Sequence, residues 1–316
     1  MEKIALLFPG QGSQEVGMGR DLAAAFPTAR QLFDEADDLL GFSLSDLCFE
    51  GPKEELNDTI NTQPALFVAS LAALAALQTR DLGWQPAVVA GHSLGELTAL
   101  AAAGAMEFAD GLHLVRERGR LMKEAGKHSP GGMAAVLKMD DDTVEEACHQ
   151  ASDETAHPVQ IANYNSPGQV VISGDEQALT RAIELLKERG GRRIIRLAVS
   201  IAAHSPLMAG AVEEFRTAVE ATAMSVPTVP VLANVSAQPL TSVETIRDEL
   251  VSQLTCPVRW TESVRWMIDQ GVNRFVEVGP KDVLSKLVQR IDSSAQVAAA
   301  GDVPSVQTLM DSQAES

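Results

Sequence analysis

Ala87-Val88-Val89-Ala90-Gly91-His92-Ser93-Leu94-Gly95-Glu96 decides how the rest of this chain is read. The four apolar residues form a short buried strand, and residues 96–103 read as the helix that follows. Between them lies a Gly-x-Ser-x-Gly turn. Small residues two before and two after Ser93 let the backbone pass sharply from strand to helix, which thrusts the hydroxyl into the open. The helix then aims free N–H groups at whatever negative charge forms there. Ser93 is thus a candidate nucleophile, against the plainer reading of a βα turn with an incidental serine.

Working outward, strand-like and helix-like runs alternate. Residues 4–8 read as strand, 21–40 as helix, 64–78 as a buried helix with Pro64 in its first turn, and 108–124 as another helix. This alternation argues for a parallel sheet with helices on both faces. At Gly131-Gly132 the texture changes. Strand 134–137, helix 142–150, strand 159–163, a turn at Ser166-Pro167-Gly168, strand 169–173, helix 176–189 and strand 193–199 follow the β-α-β-β-α-β order of a ferredoxin-like unit. The first pattern then resumes, with helices near 206–222, 242–253, 260–270 and 282–291 and strands 229–234 and 274–277. The expected fold class is α/β. A large α/β-hydrolase-like domain with a parallel sheet spans 1–130 and 200–292, and a small ferredoxin-like α+β domain, 131–199, is inserted into it. Residues 293–316, poor in large apolar side chains, read as a loose C-terminal tail.

Among the 316 residues, 43 Asp plus Glu stand against 25 Lys plus Arg, a formal net charge of −18. Such a surface repels phosphate backbones and anionic lipid, so neither nucleic acid nor membrane is expected as a partner. Cys48, Cys148 and Cys256 stand far apart, with no CxxC pair and no His/Cys cluster. That fits a reducing, cytoplasmic setting and speaks against a disulfide framework or a metal site. The first apolar run is too short for a signal peptide, and no unbroken apolar window reaches the length of a membrane span.

A serine nucleophile needs a base. Of six histidines, His204 follows strand 193–199 in a compact loop, the place where functional residues sit in open α/β sheets. His128, before a Ser-Pro-Gly-Gly loop, is a second possibility. No acid stands out before His204 to complete a Ser-Asp-His order, although a neutral group can also orient an imidazole. The Gly-rich loop Phe8-Pro9-Gly10-Gln11-Gly12-Ser13-Gln14 lacks dinucleotide spacing and a Walker lysine. It can offer a backbone N–H to an oxyanion, or simply be a turn.

Taken in order, Gly10-Gln11-Gly12-Ser13-Gln14, Asn61-Thr62-Gln63-Pro64-Ala65, Gly91-His92-Ser93-Leu94-Gly95-Glu96, Arg118-Gly119-Arg120-Leu121-Met122, Asn163-Tyr164-Asn165-Ser166-Pro167-Gly168-Gln169, His204-Ser205 and Glu277-Val278-Gly279-Pro280 carry a resemblance over residues 1–292. The chain resembles the malonyl-CoA:acyl carrier protein transacylases of type II fatty acid synthesis, with the acyltransferase domains of polyketide synthases as close relatives. The resemblance implies Ser93 as nucleophile, His204 as its base, and a main-chain carbonyl at Gln253 in place of the missing acid. It implies an oxyanion hole from the N–H groups of Gln11 and Leu94, Arg118 holding the free carboxylate of malonate, and Asn165 bordering the cleft. Ala203 stands where the polyketide relatives vary with extender unit. The substrates implied are malonyl-CoA, a coenzyme A thioester, and acyl carrier protein, with no bound cofactor. A trans-acting polyketide acyltransferase or an acyl hydrolase of the same fold remains open, as does a serine esterase. An acidic carrier would need a basic face, and Lys187, Arg189, Arg192, Arg193 and Arg196 crowd one end of the small domain.

Overall fold

Five parallel strands form the larger sheet of the computed structural model, which describes residues 3–81, 83, 85–199 and 201–311. They are β1 (Ile4–Phe8), β2 (Pro86–Gly91), β7 (Val231–Leu232), β8 (Arg274–Val278) and β9 (Gln296–Ala300), in the order β7-β2-β1-β8-β9. Central β1 alternates its side chains between two apolar layers. Ile4, Leu6 and Phe8 join the core formed with the helices Thr59–Leu77, Leu94–Ala102 and Phe108–His128, while Ala5 and Leu7 pack with Trp260, Val264, Leu284 and Leu287. Both faces are therefore covered, as an all-parallel sheet requires.

The second sheet contains β3 (Gly131–Leu137), β4 (Val159–Ser166), β5 (Gln169–Asp175) and β6 (Arg193–Arg196), antiparallel in the order β4-β5-β3-β6. Helices Asp141–Thr155 and Glu176–Glu188 follow β3 and β5, so the expected β-α-β-β-α-β order is the observed one. Ala134 and Val136 of β3 pack with Leu179 and Leu186, whereas Met133 and Ala135, on the opposite face, look into a cavity shared with the larger sheet.

Three local expectations are corrected. The helix expected over 21–40 is two, Arg20–Ala25 and Pro27–Leu40, because Phe26 before Pro27 is extended. The buried helix begins at Thr59, capped by Asp58, so Pro64 lies inside it. It has the length and apolar content of a membrane span, yet 83% of that window is buried inside the protein. The expected loose tail is mostly ordered. Small Val and Ala side chains let β9 pair with β8, and helix Val303–Asp311 buries Val306, Leu309 and Met310. Residues 312–316 of that reading lie outside the described residues, as does Ser200, where the large domain is expected to resume.

Candidate active site

The Gln11 and Ser93 loops leave the carboxyl ends of the parallel strands β1 and β2, next to the point where the sheet order turns from β2 to β8 across β1. β2 runs directly into the Ser93 turn. Ser93 adopts φ 53 and ψ −109, a conformation most side chains avoid. The flanking glycines are needed for closeness: a Cβ on Gly91 would collide with the Gly95 backbone, and one on Gly95 with Phe8 O. A Cβ on Gly10 would strike His92 O, so the Gly-rich loop after β1 lies directly against this turn.

His204 comes from the loop after β6 and is buried. Its Nε2 is 2.8 Å from Ser93 Oγ, and its Nδ1 is 2.7 Å from the main-chain oxygen of Gln253. A carbonyl only accepts, so Nδ1 carries the proton and Nε2 is left bare to receive that of Ser93. Burial, and then the cation of Arg118, push the His204 pKa down to about 3. Gln160 on β4 donates to the main-chain oxygens of both His204 (2.8 Å) and Thr255 (3.0 Å), which ties the loops carrying base and orienter together.

Arg118, from the helix Phe108–His128, is 1% exposed. Nη1 donates to Gln63 Oε1 at 2.9 Å, and Nη2 to Gln253 Oε1 at 2.6 Å and to Ser93 Oγ at 3.2 Å. Its Nε finds no partner among the described residues. All these partners are neutral. Glu96 acts on Arg118 only through space, and burial followed by the neighbouring Glu249 holds the Glu96 carboxyl well above its usual range. Burial lowers Arg118 to about 10, which leaves it charged at neutral pH. A buried cation without a contacting anion is costly, and an anion entering beside Ser93 would offset that cost.

The Gln253 side chain is more engaged than a carbonyl-only role implies. Its amide oxygen takes the Arg118 bond, and its amide nitrogen donates to Ser93 O at 3.1 Å and to the Glu96 carboxyl. Asn165 on β4 accepts from His92 Nε2 at 2.8 Å, so it meets the nucleophile turn from the second sheet. Gln11, Ser93, Leu94, Arg118, Asn165, Ala203 and His204 all line one cavity of about 340 Å³ between the two sheets, a volume usual for small-molecule sites. Its remaining wall is largely apolar, from Met122, Met133, Val171, Leu197 and Leu287. His128, the other candidate base, is exposed, and its Nδ1 donates to Glu124 O at 2.9 Å. Among the described residues, no group of three His, Cys, Asp or Glu is arranged to hold a metal.

Sequence reasoning missed Gln160, Glu96 and Asn234 as site residues. Asn234 had a usable signal, since it follows a parallel strand at the carboxyl edge. Of the basic cluster, Arg189 is engaged by Thr143 O, Glu146 and Gln150, and Arg196 by Glu176 and Thr180. Lys187, Arg192 and Arg193 are exposed.

Residues 5–313 match the model of the acyl transferase domain family. The chain is 44% identical over 307 residues to the malonyl CoA-acyl carrier protein transacylase of Bacillus subtilis, covering 97% of this chain and 96% of that one. It is 43% identical over 302 residues to the protein of the same name from Escherichia coli K12, covering 96% and 97%. Among solved structures, it resembles a malonyl-transacylase in complex with its type II PKS acyl-carrier protein, with a TM-score of 0.95 and 42% identity over 98% of this chain and 100% of that one. An acyl carrier protein S-malonyltransferase from Vibrio cholerae gives a TM-score of 0.93 at 42% identity, with the same coverage.

Proposed function

The chain belongs to the acyl transferase domain family, and from that premise we propose that it carries malonyl from malonyl-CoA to the phosphopantetheine thiol of acyl carrier protein through a malonyl-Ser93 intermediate. It is an acyltransferase. The observation that carries the choice of acyl group is Arg118: a buried guanidinium with only neutral contacts, 3.2 Å from Ser93 Oγ. A carboxylate at the far end of a short acyl chain on Ser93 would meet it in the fork geometry that arginine favours.

Ser93 passes its proton to His204 Nε2 as Oγ attacks the thioester carbonyl, and the N–H groups of Gln11 and Leu94 receive the oxyanion. As the tetrahedral species collapses, the carbon–sulfur bond breaks and His204 returns the proton to the sulfur of coenzyme A. The carrier thiol then enters, gives its proton to His204 and displaces Ser93 by the same path in reverse. The Gln253 carbonyl holds the imidazole and stabilises its charged form, the role an aspartate plays in other triads. The cycle calls for no metal and no bound prosthetic group. We read the fold as an α/β-hydrolase-like domain carrying a ferredoxin-like insert at 131–199. The strand order β4-β5-β3-β6 supports this reading of the insert. Three unpaired cysteines support a cytoplasmic setting. Lys187, Arg192 and Arg193 remain to meet an acidic carrier.

Intact-mass analysis after incubation with malonyl-CoA, and separately with acetyl-CoA, tests the reading. A malonyl adduct that disappears in Ser93→Ala is the expected result, and an adduct that persists in that variant would move the nucleophile elsewhere. A serine esterase for neutral acyl groups has no use for Arg118 and would hydrolyse rather than retain the adduct.

A further inference from the structure

We propose that Asn234 is a positioning residue of this site: its one amide holds the Ser93 turn at both ends and so decides which backbone N–H faces the reacting acyl group. The proposal rests on the acyl-transfer reading above. Asn234 is 2% exposed and lies just after β7. Its Oδ1 accepts from the Ser93 N–H at 2.7 Å, and its Nδ2 donates to Gly91 O at 2.7 Å. The amide can sit only one way round, because the flipped form would set its NH₂ against the Ser93 N–H and its oxygen against Gly91 O. Its own main chain is pinned as well, the N–H to Glu96 Oε1 at 3.3 Å and the oxygen to the Arg259 N–H at 2.8 Å.

The consequence lies in how the turn distributes its donors. Three successive N–H groups emerge there. That of His92 goes to Phe8 O at 3.1 Å, and that of Ser93 goes to Asn234. The next belongs to Leu94, the first residue of the following helix, which lines the cavity. Asn234 thus takes the middle donor out of play and leaves the third for an oxyanion. It also closes the turn across Gly91 and Ser93, the span over which the backbone enters its positive-φ form. Without the amide, the half-buried Ser93 N–H loses its acceptor, and rotating away from φ 53 is the turn's own way to satisfy it. That rotation moves Oγ off His204 Nε2.

The test is single-turnover malonylation, followed by rapid quench and intact mass over a range of malonyl-CoA concentrations, for the unmodified chain, Asn234→Ala and Asn234→Asp. Thermal melts establish which variants are folded. Asn234→Ala is expected to lower the limiting rate of adduct formation about 100-fold, the scale of a small misplacement of the attacking atom. The half-saturating concentration should change less than about threefold, because Asn234 touches no substrate. Asn234→Asp keeps the shape and the acceptor for Ser93 N–H but sets an oxygen against Gly91 O, and its limiting rate should fall at least about tenfold, the scale of one lost hydrogen bond. It decides the matter if the alanine variant does not fold. A limiting rate within about twofold of the unmodified chain in either folded variant, or a loss confined to the half-saturating concentration, would overturn the proposal. No adduct on the unmodified chain would instead overturn the reading of function, and this proposal with it.

Discussion

The main-chain oxygen of Gln253 and the ring Nδ1 of His204 lie 2.7 Å apart, so the base is oriented by an atom that no substitution at position 253 removes. The side chain of the same residue faces the other way, toward Arg118, Ser93 O and Glu96. Base and anion site are thus joined through one residue, and substitutions there separate them.

Gln253→Ala should leave the base in place and disturb the cation. A hydrogen bond to a charged group contributes about 1.5–3 kcal/mol, so malonyl-CoA kcat/KM should fall about 10–150-fold. Acetyl-CoA, with no carboxylate to place, should lose less. Gln253→Glu offers Arg118 an internal anion and should impair malonyl loading further than alanine does. Steady-state kinetics with both thioesters checks this, and equal losses for the two acyl groups would show that position 253 acts through the base instead.

Arg118→Ala should invert the acyl preference. Stranding a carboxylate in a buried pocket costs about 2–5 kcal/mol, or roughly 30- to 5,000-fold in malonyl-CoA kcat/KM. Acetyl-CoA should be used as well as before or better. Unchanged malonyl-CoA kinetics would remove Arg118 from the acyl pocket.

Acid should inactivate the enzyme only at unusually low pH. The working form of His204 is neutral, and a pKa near 3 keeps it neutral down through the range where a free imidazole, at about 6.5, takes up a proton. Malonyl-Ser93 formation should therefore stay level from pH 7 to pH 5, where an unperturbed base would lose activity by more than tenfold. Because Arg118 contributes to the depression, Arg118→Ala should move the acid limb upward when acetyl-CoA is the donor. Stability carries the same sign: below pH 6.5 the unfolded chain binds a proton that folded His204 refuses, so this residue makes folding less favourable as acidity rises. An acid limb near pH 6.5 in the unmodified chain would contradict the buried-base geometry.

Ala203 borders the cavity beside His204 and is the smallest side chain that could do so with a Cβ. Methylmalonyl-CoA should therefore load measurably alongside malonyl-CoA. Ala203→Phe should suppress the branched substrate selectively, by the roughly 10- to 200-fold that separates one methyl group in an apolar pocket. Competition between the two thioesters, read by intact mass, decides it. Equal suppression of both would show that position 203 does not face the α-carbon.

What was legible in the sequence is local. Alternating apolar runs and the Gly-x-Ser-x-Gly turn are enough for a parallel sheet and a candidate nucleophile, because strand, tight turn and helix are specified by neighbours along the chain. The same locality explains the errors. Residues 294–311 are poor in bulky apolar side chains, and nothing nearby in sequence says that β8 leaves an edge for β9 to join. Pro64 looked like a helix start, and only the cap at Asp58 and the packing of Thr59–Leu77 place it inside.

Ser93 as a candidate nucleophile was legible in the sequence alone, since its residue type and spacing carry the chemistry, whereas His204 stood beside His128 until the family resemblance singled it out. Only the tertiary structure decided that Gln63, Gln253 and Ser93 converge on one buried guanidinium, and that Asn234 closes the Ser93 turn from 141 positions away. The reason is physical. A buried polar atom is defined by the partner that satisfies it, and here those partners arrive on helices and loops far apart in sequence, brought together by a core that no single segment can form.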